Sequence, residues 1–434
     1  MQDSIDGLVG YLKIKNIQDG LWYKRYCVLT SHTFTIFKDE SLNDMEKVIK
    51  IDSNTKIDEV PSNRSPRFSI QNPDGILYFS CDCQESLIKW ITAPNASKVT
   101  VPLLSMNDFN IISVIGKGFY GKVMLVQHKT SGELYALKTI QKRRLIETHK
   151  AHTVIAERNS LMKASHPFIV RLCFAFQTPQ KFYLGLEYAS GGELFYHLDK
   201  AGALPPSEVR LISAEIALAL SYLHSLGIVY RDLKPENVMF DSEGHVKLTD
   251  FGLSKDIVET NSTNTLCGTT EYLSPEVVLH NQYDYGVDWW ALGCLMYEML
   301  TERTPFENPN RSKMLQDIVH AQPEFPEFLP PDVIEVLSAL LSKDPKNRPG
   351  IDQLKEFAYF KCLDFNKVFR REYTPEYIPP HTDKLTPLNF DSEFTEDKPV
   401  DSPVPLMLPD FPGFSYNAFG MEPSGESNSP ILMN

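Results

Sequence analysis

Asp232, Asn237 and Asp250 are the residues from which a chemistry can be read most directly. Asp232 stands five residues before Asn237 in Tyr-Arg-Asp-Leu-Lys-Pro-Glu-Asn (230–237), and Asp250 opens an Asp-Phe-Gly turn after the β-rich run His245–Thr249. A carboxylate and an amide on one loop, with a second carboxylate on the next turn, can orient an attacking hydroxyl and hold Mg²⁺ against a nucleotide's phosphates. Phosphoryl transfer asks little covalent chemistry of a protein, because its catalysis is positioning plus electrostatics. Two more segments supply what that reaction needs. Ile115-Gly-Lys-Gly-Phe-Tyr-Gly-Lys-Val123 carries a Gly-x-Gly-x-x-Gly-x-Val pattern. Glycines at 116, 118 and 121 let a hairpin backbone approach phosphates where a Cβ would collide. Alone, the pattern fits any tight hairpin, and a strand after it disfavours a dinucleotide-binding turn, which a helix would follow. Lys138, in Ala136-Leu-Lys138, lies on the next alternating strand and offers an ammonium for the α- and β-phosphates.

These groups need elements to hold them, and apolar periodicity outlines four regions. Residues 5–95 are β-rich: Tyr11–Lys15, Thr33–Ile36 and Arg67–Ile70 alternate as half-buried antiparallel strands. Turn signals at Gln18-Asp-Gly20 and Asn72-Pro-Asp-Gly75 separate them, and Gln84–Ile91 predicts a closing helix. Residues 96–108 form a polar linker. Residues 109–360 begin with strands and become helical. Residues 361–434 hold eleven of the thirty prolines and predict an extended tail and no third core. The fold class is α+β: a bilobal unit, β-rich small lobe and helical large lobe, preceded by a small antiparallel barrel capped by a helix. The net charge of −13 argues against nucleic acid as a partner. No apolar run is long enough for a membrane helix. Seven scattered cysteines without metal-ligand spacing predict reduced thiols in an intracellular, cytoplasmic protein.

Further motifs follow in order: Leu186-Glu-Tyr-Ala189, Ser274-Pro-Glu276, Asp288-Trp-Trp-Ala-Leu-Gly293, and Arg348 as a partner for Glu276. With these, residues 109–360 resemble the eukaryotic protein kinases and, within them, the AGC group of serine/threonine kinases. The resemblance implies Asp232 as catalytic base, Lys234 as γ-phosphate contact, Lys138–Glu157 as the activating ion pair, and Asn237 and Asp250 as Mg²⁺ ligands. It places ATP against Ile115, Gly116, Lys117, Gly118, Phe119, Tyr120, Gly121, Lys122, Val123, Ala136, Lys138, Glu187, Ala189, Glu193 and Met239. Glu193, Glu236 and Glu298 match positions that select arginine upstream of the phosphorylated residue, which implies protein substrates with Arg at −3 and at −5.

Thr265, in Thr-Leu-Cys-Gly-Thr-Thr-Glu-Tyr272, matches the activation segment and implies an upstream activating kinase. Arg231 and Lys255 are the cations available to its phosphate. Phe411-Pro-Gly-Phe-Ser-Tyr416 resembles the hydrophobic motif of this group, with Ser415 as a phosphorylation site. Pro399-Val-Asp-Ser-Pro403 resembles its turn motif, with Ser402 as another, and Asn389-Phe-Asp391 resembles the segment that reaches over the nucleotide. Gly10-Tyr-Leu-Lys and Trp22-Tyr-Lys-Arg-Tyr-Cys-Val-Leu29 resemble a pleckstrin-homology domain, so the whole architecture resembles the protein kinase B (Akt) family. Relatives bind phosphoinositides through cations that here read Ile14 and Tyr23-x-Arg25. Lys13, Lys15, Lys24 and Arg25 are the substitute patch for a headgroup or an anionic plasma-membrane surface. A protein-binding or autoinhibitory role for this domain is the alternative. The chain is expected to act as a monomer, and a catalytically silent scaffold is the competing class.

Overall fold

The computed structural model describes residues 8–16, 19–29, 33–40, 44–51, 55–60, 62, 65–73, 75–82, 86, 87, 90, 104–148, 151–257, 263, 268–380, 385–401 and 414–418. Two compact units organise it, one built on the described residues before 105 and one on most of those from 105 to 401.

In the first unit, seven strands form one sheet: β1 (Leu8–Lys15), β2 (Trp22–Leu29), β3 (Thr33–Phe37), β4 (Met45–Lys50), β5 (Lys56–Glu59), β6 (Arg67–Asn72) and β7 (Gly75–Ser80), in the order β4-β3-β2-β1-β7-β6-β5. The three alternating segments fall on β1, β3 and β6. Their period sends Phe34, Ile36, Phe68 and Ile70 inward, where they meet Leu12, Phe79, Leu87 and Trp90 in one core. The Phe34 ring lies 5.0 Å from Phe79 and 5.5 Å from Trp90. Of the expected closing helix, residues 86, 87 and 90 are described and helical.

The second unit opens earlier than expected. Within the stretch read as linker, Met106–Asp108 form a helical turn capped by Ser105, whose amide donates to Asp108 Oδ2 at 2.7 Å. Strands β8 (Phe109–Lys117), β9 (Gly121–His128), β10 (Leu134–Gln141), β11 (Leu172–Gln177) and β12 (Lys181–Glu187) follow, in the order β11-β12-β10-β9-β8. Helices α1 (Lys142–Glu147) and α2 (Ala151–Lys163) fall between β10 and β11. The large lobe holds β13 (Gly192–Glu193), α3 (Leu194–Ala201), α4 (Pro206–Ser225), β14 (Ile228–Val229), the hairpin β15 (Val238–Phe240) and β16 (Val246–Leu248), and β17 (Lys255–Asp256). Helices α5 (Pro275–Val278) to α6 (Gly286–Thr301), α7 (Arg311–His320) and α8 (Pro331–Leu340) complete its core. Helix α6 is apolar around nearly its whole circumference and is buried accordingly. Beyond α9 (Ile351–Leu354) and α10 (Phe365–Phe369), the tail adds a single turn, α11 (Ser392–Thr395). No helix among the described residues is long and apolar enough to cross a membrane.

Candidate active site

The β15–β16 hairpin joins the two halves of the site. Val238 is registered with Leu248, and the Thr249 amide donates to the Asn237 carbonyl at 3.0 Å. The loop ending in Asn237 and the turn opening at Asp250 therefore leave the hairpin side by side. Asn237 Nδ2 donates to the Asp232 carbonyl at 2.7 Å and to Asp232 Oδ2 at 2.8 Å. Lys234 Nζ lies 3.8 Å from that carboxylate oxygen and donates to Thr269 Oγ1 at 3.2 Å. Burial, with Asp250 and Glu236 nearby, raises the Asp232 pKa above the usual carboxylate range.

Two residues of these turns hold positive φ without being glycine: Arg231 at 67° and Asp250 at 51°. Such backbone persists only where neighbours over-determine it. Asp288 does so for the first. It is fully buried at the start of α6 and accepts from the Tyr230 amide at 2.9 Å and the Arg231 amide at 2.8 Å, with His224 Nε2 at 2.8 Å. Arg231 Nε donates to the Leu253 carbonyl at 2.7 Å, tying the loop to the Asp-Phe-Gly turn. Sequence reasoning gave Asp288 no part in the site. Its signal was a carboxylate in the first turn of an otherwise apolar helix, since a buried charge must be paired.

Lys138 sits on the cleft face of β10, registered with Val123. Its Nζ donates to Glu157 Oε1 at 2.7 Å and to Asp250 Oδ1 at 3.0 Å. Burial disfavours this ammonium, but Asp250 and Glu157 together outweigh it and raise its pKa; Lys138 in turn lowers that of Asp250. The free donor atoms suit a hard cation. Asn237 has committed its amide nitrogen, leaving Oδ1, and Asp250 has committed Oδ1 to Lys138 and to the Gly252 amide at 3.1 Å, leaving Oδ2. Among the described residues no cluster of three or more acidic, His or Cys side chains could hold a metal by itself. Two protein oxygens completed by phosphates and water is how Mg²⁺ is ordinarily held.

Ile115, Val123, Leu125, Ala136 and Met239 form an apolar wall with Tyr188 and Phe390. Phe390 of the Asn389-Phe-Asp391 motif belongs to this wall, its ring 6.0 Å from Tyr188. Asn389 Nδ2 donates to the Ser190 carbonyl at 3.0 Å. A Cβ on Gly192, whose φ is 81°, would lie 2.0 Å from the Asn389 carbonyl oxygen, so only glycine admits the tail there. Glu187 spends its carboxylate on Lys247 at 2.9 Å, and Ala189 is buried; the backbone is what these two offer the cleft.

Packing and strand register add two features to the glycine hairpin. A Cβ on Gly121 would fall 1.7 Å from the Thr139 carbonyl oxygen, so the protein itself demands that glycine, whereas Gly118 has open space around it. Lys117 and Lys122 are registered with each other on the face opposite Gly116 and Val123, and both pair with Asp397. Their ammonium groups thus face away from the cleft, while Phe119 is exposed and Tyr120 half-buried.

Glu193, Glu236 and Glu298 gather electrostatically. Burial, reinforced by Glu236 and Asp391, pushes Glu193 up to about 7. Burial, reinforced by Glu236, Glu307 and Glu271, pushes Glu298 up to about 7, and Tyr272 donates its hydroxyl to Glu298. Arg348 and Glu276 form a buried two-point ion pair at 2.6 and 2.7 Å. Thr265, Ser402 and Phe411 lie outside the described residues; Phe414 is buried and Ser415 exposed. Arg231 donates to the Tyr283 hydroxyl at 3.1 Å and Lys255 to Thr263 Oγ1 at 2.7 Å.

The amino-terminal cations do not form the one expected patch. Strand register puts Lys13 opposite Lys24 and Lys15 opposite Trp22 on one face; Leu12 and Arg25 share the other. Arg25 is already engaged, with Nε 2.6 Å from Glu46 Oε2, and the Tyr23 hydroxyl donates to Asp19 at 2.7 Å.

Comparison with known families agrees with these geometries. A protein kinase domain matches residues 109–360, a PH domain residues 8–96 and a protein kinase C terminal domain residues 388–416. The chain is 36% identical over 423 residues to a RAC family serine/threonine-protein kinase homolog of Dictyostelium discoideum, covering 92% of this chain and 94% of that one. It is 40% identical over 357 residues to serine/threonine-protein kinase YPK1 of Saccharomyces cerevisiae, covering 78% of this chain and 52% of the yeast protein. With serine/threonine-protein kinase Sgk2 of Mus musculus it shares 42% identity over 296 residues, 67% of this chain and 81% of that one.

Proposed function

The chain belongs to the protein kinase domain family, as an AGC-group serine/threonine kinase with a PH domain and a kinase C-terminal domain, and from that premise we propose that it transfers the γ-phosphate of Mg²⁺-ATP to Ser or Thr of proteins with Arg at −3. One observation carries the proposal: Lys138 reaches both Glu157 and Asp250 while Asn237 holds Asp232. Bound Mg²⁺-ATP supplies the phosphoryl group and the counter-charge for its transfer. Asp232 orients the substrate hydroxyl and accepts its proton, with Lys234 beside it to offset charge. Asn237 and Asp250 would hold the Mg²⁺ that offsets the phosphate charge. Lys138 meets the α- and β-phosphates, and Glu157 keeps it aimed. Glu193, Glu236 and Glu298 receive the substrate arginine. An upstream kinase acting on Thr265 would add a phosphate for which Arg231 and Lys255 are the available cations, and Ser402 and Ser415 are further sites of phosphorylation in the tail.

The test is a peptide-library assay on the purified full chain, with and without Thr265 phosphorylated. Transfer that requires Mg²⁺, rises on Thr265 phosphorylation and drops when the −3 arginine is replaced is the expected result. Transfer indifferent to the −3 residue would remove the substrate assignment, and absence of transfer from the phosphorylated chain would remove the activity.

Within this proposal the PH domain attracts anionic lipid only weakly, because Arg25 is paired with Glu46 and Lys13, Lys15 and Lys24 stand on the opposite face. Liposome sedimentation is expected to be nearly the same with and without phosphoinositide. A large phosphoinositide-dependent gain abolished by Arg25→Ala would restore recruitment to the plasma membrane.

A further inference from the structure

The tail crosses the outer face of the nucleotide hairpin and meets it with one carboxylate. Gly116 and Val123 are registered with each other on the cleft side; Lys117 and Lys122, the next pair, project from the other side. Like charges directly opposite on paired strands repel unless an anion lies between them. Asp397 is that anion: its Oδ2 is 2.8 Å from Lys117 Nζ and 3.6 Å from Lys122 Nζ. The tail is fastened on both sides of this contact. Upstream, Phe390 is built into the cleft wall and α11 packs against β8. Downstream, Asp401 accepts from the Tyr183 hydroxyl at 2.7 Å and from Lys181, whose side chain is 7% exposed. A segment pinned at 390 and 401 leaves Asp397 little freedom to follow the hairpin; the hairpin must come to it.

We propose that Asp397 is a positioning residue for the nucleotide: by bridging one lysine from each limb, it holds the Gly118–Gly121 turn down over the phosphates. It acts through Lys117 and Lys122 and touches no substrate. The role rests on the ATP-dependent reading above and adds to it a tail carboxylate that sets ATP affinity. The contact is partly exposed, so it adjusts how long the hairpin stays closed and leaves the fold's stability alone.

The test uses the full chain and measures KM for ATP and kcat in wild type, Asp397→Asn, Asp397→Glu, and Lys117→Gln/Lys122→Gln with and without Asp397→Asn. Asp397→Asn is expected to raise KM for ATP about three- to fivefold without lowering kcat. Asp397→Glu should stay within about twofold of wild type, and Asp397→Asn should add nothing once both lysines are gone. An unchanged KM in Asp397→Asn, a fall in kcat alone, or the same rise in the lysine-free background would overturn the proposal. Wild-type protein that binds no ATP would overturn the functional reading itself, which separates the two failures.

Discussion

Lys138 and Lys24 both stand on antiparallel strands, β10 and β2, and the protein treats them in opposite ways. Lys138 is met by Glu157 from α2 and by Asp250 from a turn 112 residues away. Lys24 stands exposed opposite another lysine, Lys13, with the Tyr11 ring beneath it at 4.3 Å. A cation becomes machinery when separate elements converge on it and remove it from water, where each interaction is stronger. A cation on one hairpin, facing solvent, remains a surface charge.

Several substitutions would break or sharpen that contrast. The largest effect is expected from Lys138→Met, which should lower kcat/KM by about 10²–10³, while Lys24→Ala leaves turnover unchanged; steady-state kinetics on both variants is the check. Next is Arg348→Ala. It strands the buried Glu276 carboxylate, so denaturant unfolding should show a loss of roughly 3–5 kcal/mol. An exposed pair gives the scale for comparison: Arg25→Ala should change stability by less than about 1 kcal/mol.

Between these extremes lies the arginine-receiving cluster. Glu193 and Glu298 have pKa values raised to about 7 by burial, so they are largely protonated at pH 6 and ionised at pH 8. Attraction for a substrate arginine is therefore present above pH 7 and lost as pH falls through it. KM for an Arg(−3) peptide is expected to fall about three- to tenfold from pH 6 to pH 8, with an Ala(−3) peptide flat over the same range. Equal pH profiles for the two peptides would detach these carboxylates from specificity.

What was legible in the sequence was local. Asp232 and Asn237 lie five residues apart, and one short hairpin carries the chain on to Asp250, so nearest-neighbour geometry already brings them together. The Arg348–Glu276 pair spans 72 residues and was reached through motif resemblance. Contacts that depend on packing alone were not legible. Asp288 grips a loop 57 residues away. The outward direction of Lys117 and Lys122 follows from a register with two irregularities that no spacing rule supplies. The four amino-terminal cations are divided between two faces for a simpler reason. Alternation along β2 already separates Lys24 from Arg25, and the pairing of Leu12 with Arg25 fixes which face each takes.

The central claim is that Asp232, Asn237 and Asp250 serve one terminal phosphate. It is tested most directly by measuring Mg²⁺-ATP binding and transfer to an Arg(−3) peptide side by side in Thr265-phosphorylated wild type and Asp232→Asn. The account predicts matching ATP affinities and a transfer rate lower by about 10³ in the variant. Equal transfer rates, or a wild-type chain that binds no ATP with magnesium in excess, would contradict it.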